Sequence, residues 1–270
     1  MTIIKISCVQ MDIKQCSKEE NIEKALLMAK DAIAAGTRII VFPEVFSTGF
    51  CYKDLGFVAE TSPSQRVEEY PAIKRLLQFS RVHGCILIGS VIEKKVECTD
   101  QIRYHNLGFC IESGDLAGIY RKTHLYGLEK RHFSRGEGIS PIRLERTGIT
   151  VGLQICFDLR FPEVSRKLAF EGADVLVTVG GFADPKSSQW KALATARAIE
   201  NQIPHIACNR VGTAPLASYF GRSMIINAWG NMKAEAEGFE CLITGEIDID
   251  ETKRIRGKVS LLDDRQLDLY

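Results

Sequence analysis

Four short runs of this chain are almost wholly apolar, and they constrain the fold more than any other feature. "RIIVF" ends at Phe42, "CILIGSV" begins at Cys85, "ITVGLQIC" ends at Cys156 and "DVLVTVG" ends at Gly180. Their apolar residues do not alternate with polar ones, so as strands they need cover on both faces. Helical periodicity lies between them. Residues 17–35 form one amphipathic stretch, with Ser17 and Glu20 spaced as a capping box and Gly36 as a stop. Pro71–Val82 and residues 187–201 give two more, and a further helix follows Cys156. The pattern is two β-helix-β halves around a hairpin-rich middle, "YHNLGFCIES" to "IYRKT". In the last third, "YFGRSMIINAWGNMKAEAE" and "CLITGEIDI" read as joined strands with a turn at Gly230–Asn231. No low-complexity linker or tandem repeat interrupts the pattern. It predicts one α/β domain over residues 1–270, with mixed sheets covered by helices and by one another.

Charge narrows the function classes. Lys plus Arg number 35 against 34 Asp plus Glu, a formal net charge of +1. That balance gives no electrostatic reason to expect nucleic acid or an anionic membrane as partner. No apolar run reaches the roughly 20 residues of a membrane helix. "MTIIKISCVQMDIKQ" reads as a first strand and not as a signal peptide, so a soluble cytoplasmic protein is expected. The nine cysteines are widely spaced and form no C-x-x-C pair, which argues against a disulfide framework and a thiolate zinc site. The chain has no G-x-G-x-x-G and no P-loop lysine motif, so neither cofactor nor metal is expected.

Active sites in such folds gather at the C-terminal ends of strands. Three polar residues occupy such ends: Glu44 after "RIIVFP", Lys122 after "GIYR" and Cys156 after "VGLQI". Each has an ordinary structural explanation alone: a capping acid, a solvated lysine, a packed thiol. Together they are the parts of a thiol acyl-transfer site. A thiol with a pKa near 8.5 needs a base or a nearby cation to act as a nucleophile. Glu44 can take and return the proton. Lys122 and a backbone N–H such as that of Phe157 can offset the charge of an oxyanion. Of the five histidines, His124 alone lies in a strand-end loop beside a candidate, so a Cys–His pair is the weaker alternative.

The blocks "VFPEVFSTGF", "YRKTHLYGLEKRHFSRGE" and "GLQICFDLRFPEVSRKLAFEGADVLV" resemble, in order and spacing, the three signature blocks of the nitrilase superfamily of carbon–nitrogen hydrolases. The resemblance implies a four-layer αββα sandwich of two mixed β-sheets flanked by helices. It implies a Glu44–Lys122–Cys156 catalytic triad, with Glu129 in "HLYGLEKRHF" as a second glutamate that positions substrate or assists the base. It also implies subunits that pair, as a homodimer or a higher even-numbered oligomer. The ordinary alternative for Glu129 is a surface acid paired with Lys130 or Arg131.

"CFDLRFPE" resembles the small-amide amidases, including omega-amidase-like members, and lacks the Trp-Glu-like pair that follows the cysteine of true nitrilases. The expected activity is hydrolysis of a small linear amide to a carboxylic acid and ammonia through a thioester. The alternatives are nitrile or N-carbamoyl hydrolysis at the same site, or a non-catalytic binding protein, against which an intact Glu44, Lys122 and Cys156 argue. Arg160 has two readings. It can hold a substrate carboxylate, or it can pair with Asp158 or Glu163 to brace the turn behind the thiol. Arg197, Glu200 and Asn201 on the next helix read as scaffold.

Overall fold

All four apolar runs are strands in the computed structural model, which describes residues 2–266 and 268–269. Met1, Leu267 and Tyr270, inside the expected bounds of 1–270, lie outside the described residues. The first half supplies β1 (Ile3–Gln10), β2 (Ile39–Val41), β3 (Ile86–Val96), β4 (Ile102–Glu112) and β5 (Asp115–Arg121). The second half supplies β6 (Ile142–Arg143), β7 (Thr150–Ile155), β8 (Val175–Gly180) and β9 (His205–Asn209). A hairpin follows, β10 (Val211–Ala214) and β11 (Ala217–Phe220), then β12 (Met224–Ile226), β13 (Met232–Glu235) and β14 (Cys241–Asp248). The main helices are α1 (Lys18–Ala34), α2 (Leu55–Val58), α3 (Pro71–His83), α4 (Glu129–His132), α5 (Pro162–Phe170), α6 (Ser187–Asn201) and α7 (Glu251–Arg256).

Two six-stranded sheets result, in the orders β14-β1-β2-β3-β4-β5 and β13-β12-β9-β8-β7-β6. Both are mixed. The central pairs β1–β2–β3 and β7–β8–β9 are parallel, and the flanking pairs are antiparallel. The parallel centres are where the wholly apolar runs lie, as burial on both faces requires. Between the sheets, Ile6, Val41 and Ile88 pack with Leu153, Ile155, Val177 and Val179 in one core cluster. The other face of the first sheet is covered by α1 and α3, whose Ile22, Ala25, Ile73 and Leu76 cluster with Val9, Ile40, Phe42 and Leu87. Helix α5 packs Val164 and Leu168 on Leu176 of the second sheet. The expected four-layer αββα sandwich is what these residues build.

Three local expectations differ. Ser17 stands before α1 but makes no capping hydrogen bond. Buried Asn21 fastens that end instead, accepting from the Lys14 N–H (2.9 Å) and donating to the Lys14 and Ser47 carbonyls (2.7 and 3.0 Å). Strand β14 does not extend the β12–β13 hairpin. It crosses to the first sheet and pairs antiparallel with β1, from Ile3↔Asp248 to Gln10↔Cys241. Finally, Cys16 and Cys51 are joined in a disulfide with a Cα–Cα distance of 5.4 Å. Their 35-residue separation hides that the loops after β1 and β2 emerge at one end of the first sheet.

Candidate active site

Three strand ends converge at that same end of the sandwich. Glu44 follows β2 and is fully buried. The next residue, Val45, has φ 44°, an outlier for a β-branched side chain. It is held there by its N–H to Ser90 Oγ (2.8 Å) and by its carbonyl, which accepts from Thr48 and Gly49 (3.1 and 2.8 Å). Cys156 follows β7 with φ 46° and opens a 3-10 turn over Cys156–Arg160. Strain of this kind costs roughly 1–3 kcal/mol per residue and persists where the surroundings over-determine it. Lys122 follows β5; its N–H donates to the Asn106 carbonyl (3.0 Å) and its carbonyl accepts from Gly136 (2.9 Å). A Cβ at Gly136 would sit 2.1 Å from the Arg121 carbonyl oxygen, so only glycine lets this loop close on the strand end.

The side chains form one buried cluster. Lys122 Nζ donates to Glu44 Oε1 and to Glu129 Oε2, each at 2.7 Å. Glu129 is therefore no surface acid: it is buried at the start of α4, and its Oε2 also accepts the Tyr126 N–H (2.8 Å). Asn106 Nδ2 bridges the carboxylates, at 2.8 Å from Glu44 Oε1 and 3.2 Å from Glu129 Oε1. Among the described residues Glu44 Oε2 is buried with no N–H or O–H donor, and the Cys156 thiol hydrogen-bonds to this carboxyl group. Oε2 faces Gly181, where a Cβ would lie 3.0 Å away, and the Gly181 backbone hydrogen-bonds to the Cys156 thiol. Gly181 is thus the point where the free carboxylate oxygen and the thiol meet.

Burial dominates the electrostatics. Desolvation raises the Glu44 carboxyl above its ordinary 4.5, opposed by Lys122 and reinforced by Glu129. Lys122 loses hydration, which works against its charge, but the Glu129 and Glu44 carboxylates outweigh that and hold it firmly protonated. Desolvation and then the Glu44 charge push the Cys156 thiol well up, against the pull of Lys122 and the Gly181 backbone. The resting site therefore holds a neutral thiol and a charged lysine beside two buried carboxyl groups. A thiol surrounded by a base and a cation need not ionise at rest when the whole group is dry.

Asp158 ties the thiol's turn to the lysine's loop. Its carboxylate accepts from the Ile155 N–H (2.9 Å), the Tyr120 hydroxyl (2.9 Å), the Thr123 hydroxyl (3.3 Å) and the His124 N–H (3.1 Å). His124 Nδ1 lies 2.9 Å from the same carboxylate and its ring stacks on Phe161, so the histidine is committed here and makes no pair with Cys156. Arg197 donates to the Leu159 carbonyl (3.1 Å) and to Glu200 (3.0 Å), and Asn201 donates to the Arg197 carbonyl, bracing the turn from α6.

Above the thiol is a cleft of about 50 Å³, walled by Tyr126, Phe157 and Phe182. Arg160 and Lys186 stand in its lining. Arg160 makes no ion pair with Asp158 or Glu163. It donates to Gln189 Oε1 (2.8 Å) and lies 5.9 and 5.4 Å from the Phe157 and Phe182 rings. Lys186 Nζ is 5.8 Å from the Tyr126 ring centre. Asn106, Gly181, Tyr126, Phe182 and Lys186 were not singled out from the sequence. Only Tyr126, inside the "HLYGLEKRHF" block, carried a positional signal. Cys16, Cys51 and Asp54 lie within 4.8 Å of one another, but the disulfide removes the two thiolates a metal would need.

Residues 5–257 match the carbon-nitrogen hydrolase family model. The chain is 35% identical to a probable nitrilase of Schizosaccharomyces pombe, over 98% of this chain and 96% of that protein. It is 34% identical to the 2-oxoglutaramate amidase of Bacillus subtilis, over 98% of each. The crystal structure of a carbon-nitrogen hydrolase from Helicobacter pylori G27 superposes with a TM-score of 0.84 at 27% identity, covering 99% of this chain and 97% of that one. The chain belongs to the carbon-nitrogen hydrolase family, within the amidase branch of the nitrilase superfamily.

Proposed function

We propose that this amidase hydrolyses a small linear amide to a carboxylic acid and ammonia through a thioester on Cys156. The observation that carries the reading is the unpartnered Glu44 Oε2, which meets the thiol at Gly181 while Lys122 holds the other oxygen. The Cys156 sulfur attacks the amide carbonyl as Glu44 takes the thiol proton. Because the thiol is neutral at rest, proton transfer and attack go together, and no standing thiolate is required. The Lys122 ammonium and the Phe157 N–H stabilise the oxyanion. Collapse breaks the C–N bond, and Glu44 returns its proton to the departing nitrogen, releasing ammonia. Water then attacks the thioester with Glu44 again as base, freeing the acid and restoring the thiol. Glu129 keeps Lys122 aimed between the two carboxylates.

The small cleft and its two cations favour a short amide whose far end is a carboxylate. Arg160 is the residue with the planar, bidentate donor face for that end. Its place in the cleft, with no acidic partner among the described residues, supports the substrate reading over the structural one. A panel of short neutral amides, ω-amides of dicarboxylic and keto acids, N-carbamoyl acids and nitriles, assayed for ammonia, tests this. Selective release from the carboxylate-bearing amides is expected. Release from nitriles or carbamoyl acids alone would overturn the reading. We further propose that copies pair through the outer face of α5 and α6, where Phe170 and Ile199 are exposed. A solution mass of one 30.1 kDa chain at micromolar concentration would contradict that.

A further inference from the structure

Asn106 holds a position that the reaction itself does not explain. It lies on β4 opposite Ile92 of β3, fully buried, and its own carbonyl anchors the Lys122 backbone. Its amide nitrogen is spent on the two carboxylates, and its Oδ1 is buried with no hydrogen-bond partner. A buried orphan acceptor is uncommon and needs a reason. Turning the amide over would set Oδ1 against two carboxylates that can only accept, so the donors must face them. The orphan is the consequence of using this side chain purely as a two-pronged donor.

Its effect is to make Glu44 asymmetric. Both oxygens of Glu129 are engaged, Oε2 by Lys122 and Tyr126 and Oε1 by Asn106. On Glu44 both donors, Lys122 Nζ and Asn106 Nδ2, converge on Oε1 and leave Oε2 bare. The terminal torsion of a glutamate is soft and roughly two-fold, so a single donor would fix the carboxylate plane poorly. We propose that Asn106 is a positioning residue that selects Glu44 Oε2 as the oxygen presented to the Cys156 thiol, and that its two donors hold the two carboxyl groups side by side. The proposal rests on the thiol reading above. The other groups facing Glu44 are Lys122 from the loop after β5, Glu129 from α4, Cys156 from the turn after β7, Tyr52 before α2 and Tyr219 from β11, with Arg210 stacked on Tyr219 at 4.1 Å.

The sign follows from the donor that is lost. A hydrogen bond to the charged form favours it, so removing Asn106 Nδ2 makes Glu44 easier to protonate. A protonated Glu44 cannot act as base, so the acid limb of activity moves to higher pH. The test compares Asn106→Leu, which keeps the bulk without donors, Asn106→Asp, which keeps the shape and adds an acceptor, and Asn106→Ser, which keeps one donor. Two profiles are read against pH: kcat/KM for a responsive amide, and the rate at which iodoacetamide alkylates Cys156. For Asn106→Leu we expect kcat down by roughly ten- to a hundredfold, with KM within about twofold, and both acid limbs shifted up by about one pH unit. Asn106→Asp shifts them further and Asn106→Ser less. A folded Asn106→Leu or Asn106→Ser with wild-type limbs overturns the proposal, whether activity is kept or lost, because a merely structural role moves neither limb. If Asn106→Leu does not fold, the Ser and Asp variants decide by the same reading. The alkylation profile needs no amide hydrolysis, because the label is fixed at the CH2–I carbon of the reagent, so it tests Asn106 even if the wild-type protein releases no ammonia, an outcome that defeats the functional reading alone.

Discussion

Arg121 and Lys122 are consecutive residues, and each meets a buried carboxylate, yet the two pairings end differently. Arg121 lays its Nε and one terminal nitrogen on the two oxygens of Glu93 (2.5 and 2.8 Å), and the Tyr70 hydroxyl adds a third donor at 3.3 Å. Every oxygen of Glu93 is occupied. Lys122 is shared between two carboxylates, Asn106 doubles its contact on one oxygen, and Glu44 Oε2 is left over. Burial and ion pairing are common to both sites. What separates the site proposed to react is an acceptor left, among the described residues, without an N–H or O–H donor and a thiol placed beside it. A closed buried pair can only hold structure, whereas an open one can take a proton.

Four substitutions put that contrast under strain. Cys156→Ser removes the thiol with a one-atom change and is expected to keep the fold while lowering kcat by about a thousandfold or more. Steady-state turnover beside thermal unfolding checks both halves. Lys122→Ala should lower turnover by roughly a hundredfold. It also strands two buried carboxylates, so unlike a solvated lysine it should cost stability, about 3 kcal/mol at neutral pH. Denaturant midpoints read the second effect, and recovery of stability in acid, as the stranded carboxylates protonate, would confirm its origin. Arg160→Gln acts at the cleft and not in the cluster. It should raise KM about tenfold for a carboxylate-ended amide and leave a neutral amide of the same length unchanged. Arg121→Ala completes the comparison: it breaks the closed pair, costs about 3 kcal/mol of stability and leaves kcat within about twofold. A large loss of kcat with unchanged stability there would erase the distinction drawn between the two pairs.

The same contrast shows where the sequence was informative. Apolar runs burdened with burial on both faces can hardly be anything but central strands, so their ends, and hence Glu44 and Cys156, were legible; Lys122 follows β5, a partly exposed strand at the edge of the first sheet, and was legible from the hairpin pattern and its family block. Glu129 was legible only through its family block, because "GLEKRHF" reads locally as a charged surface turn. Asn106 was not legible: within "YHNLGF" it is one more polar residue on a hairpin strand. Its meaning depends on which residue of β5 and which loop from elsewhere lie against it. Phe182 and Lys186 reach the cleft from a loop whose path no local pattern fixes. The Cys16–Cys51 bond and the crossing of β14 to β1 are likewise long-range pairings, set by which loops and edges come to one end or side of the sandwich.

The most direct test of the central claim is alkylation with residue mapping. Seven cysteines are free, and among the described residues Cys98 is the exposed one, so a Cys98→Ser background removes the main competitor. The protein is titrated with iodoacetamide, with and without a saturating short amide, and residual ammonia release is plotted against the modified fraction of each peptide. The account predicts that activity falls in proportion to label on Cys156, that the amide protects this thiol, and that the labelling rate drops in acid as Glu44 takes up a proton. Complete modification of Cys156 with turnover intact, or loss of turnover with Cys156 unlabelled, would contradict it.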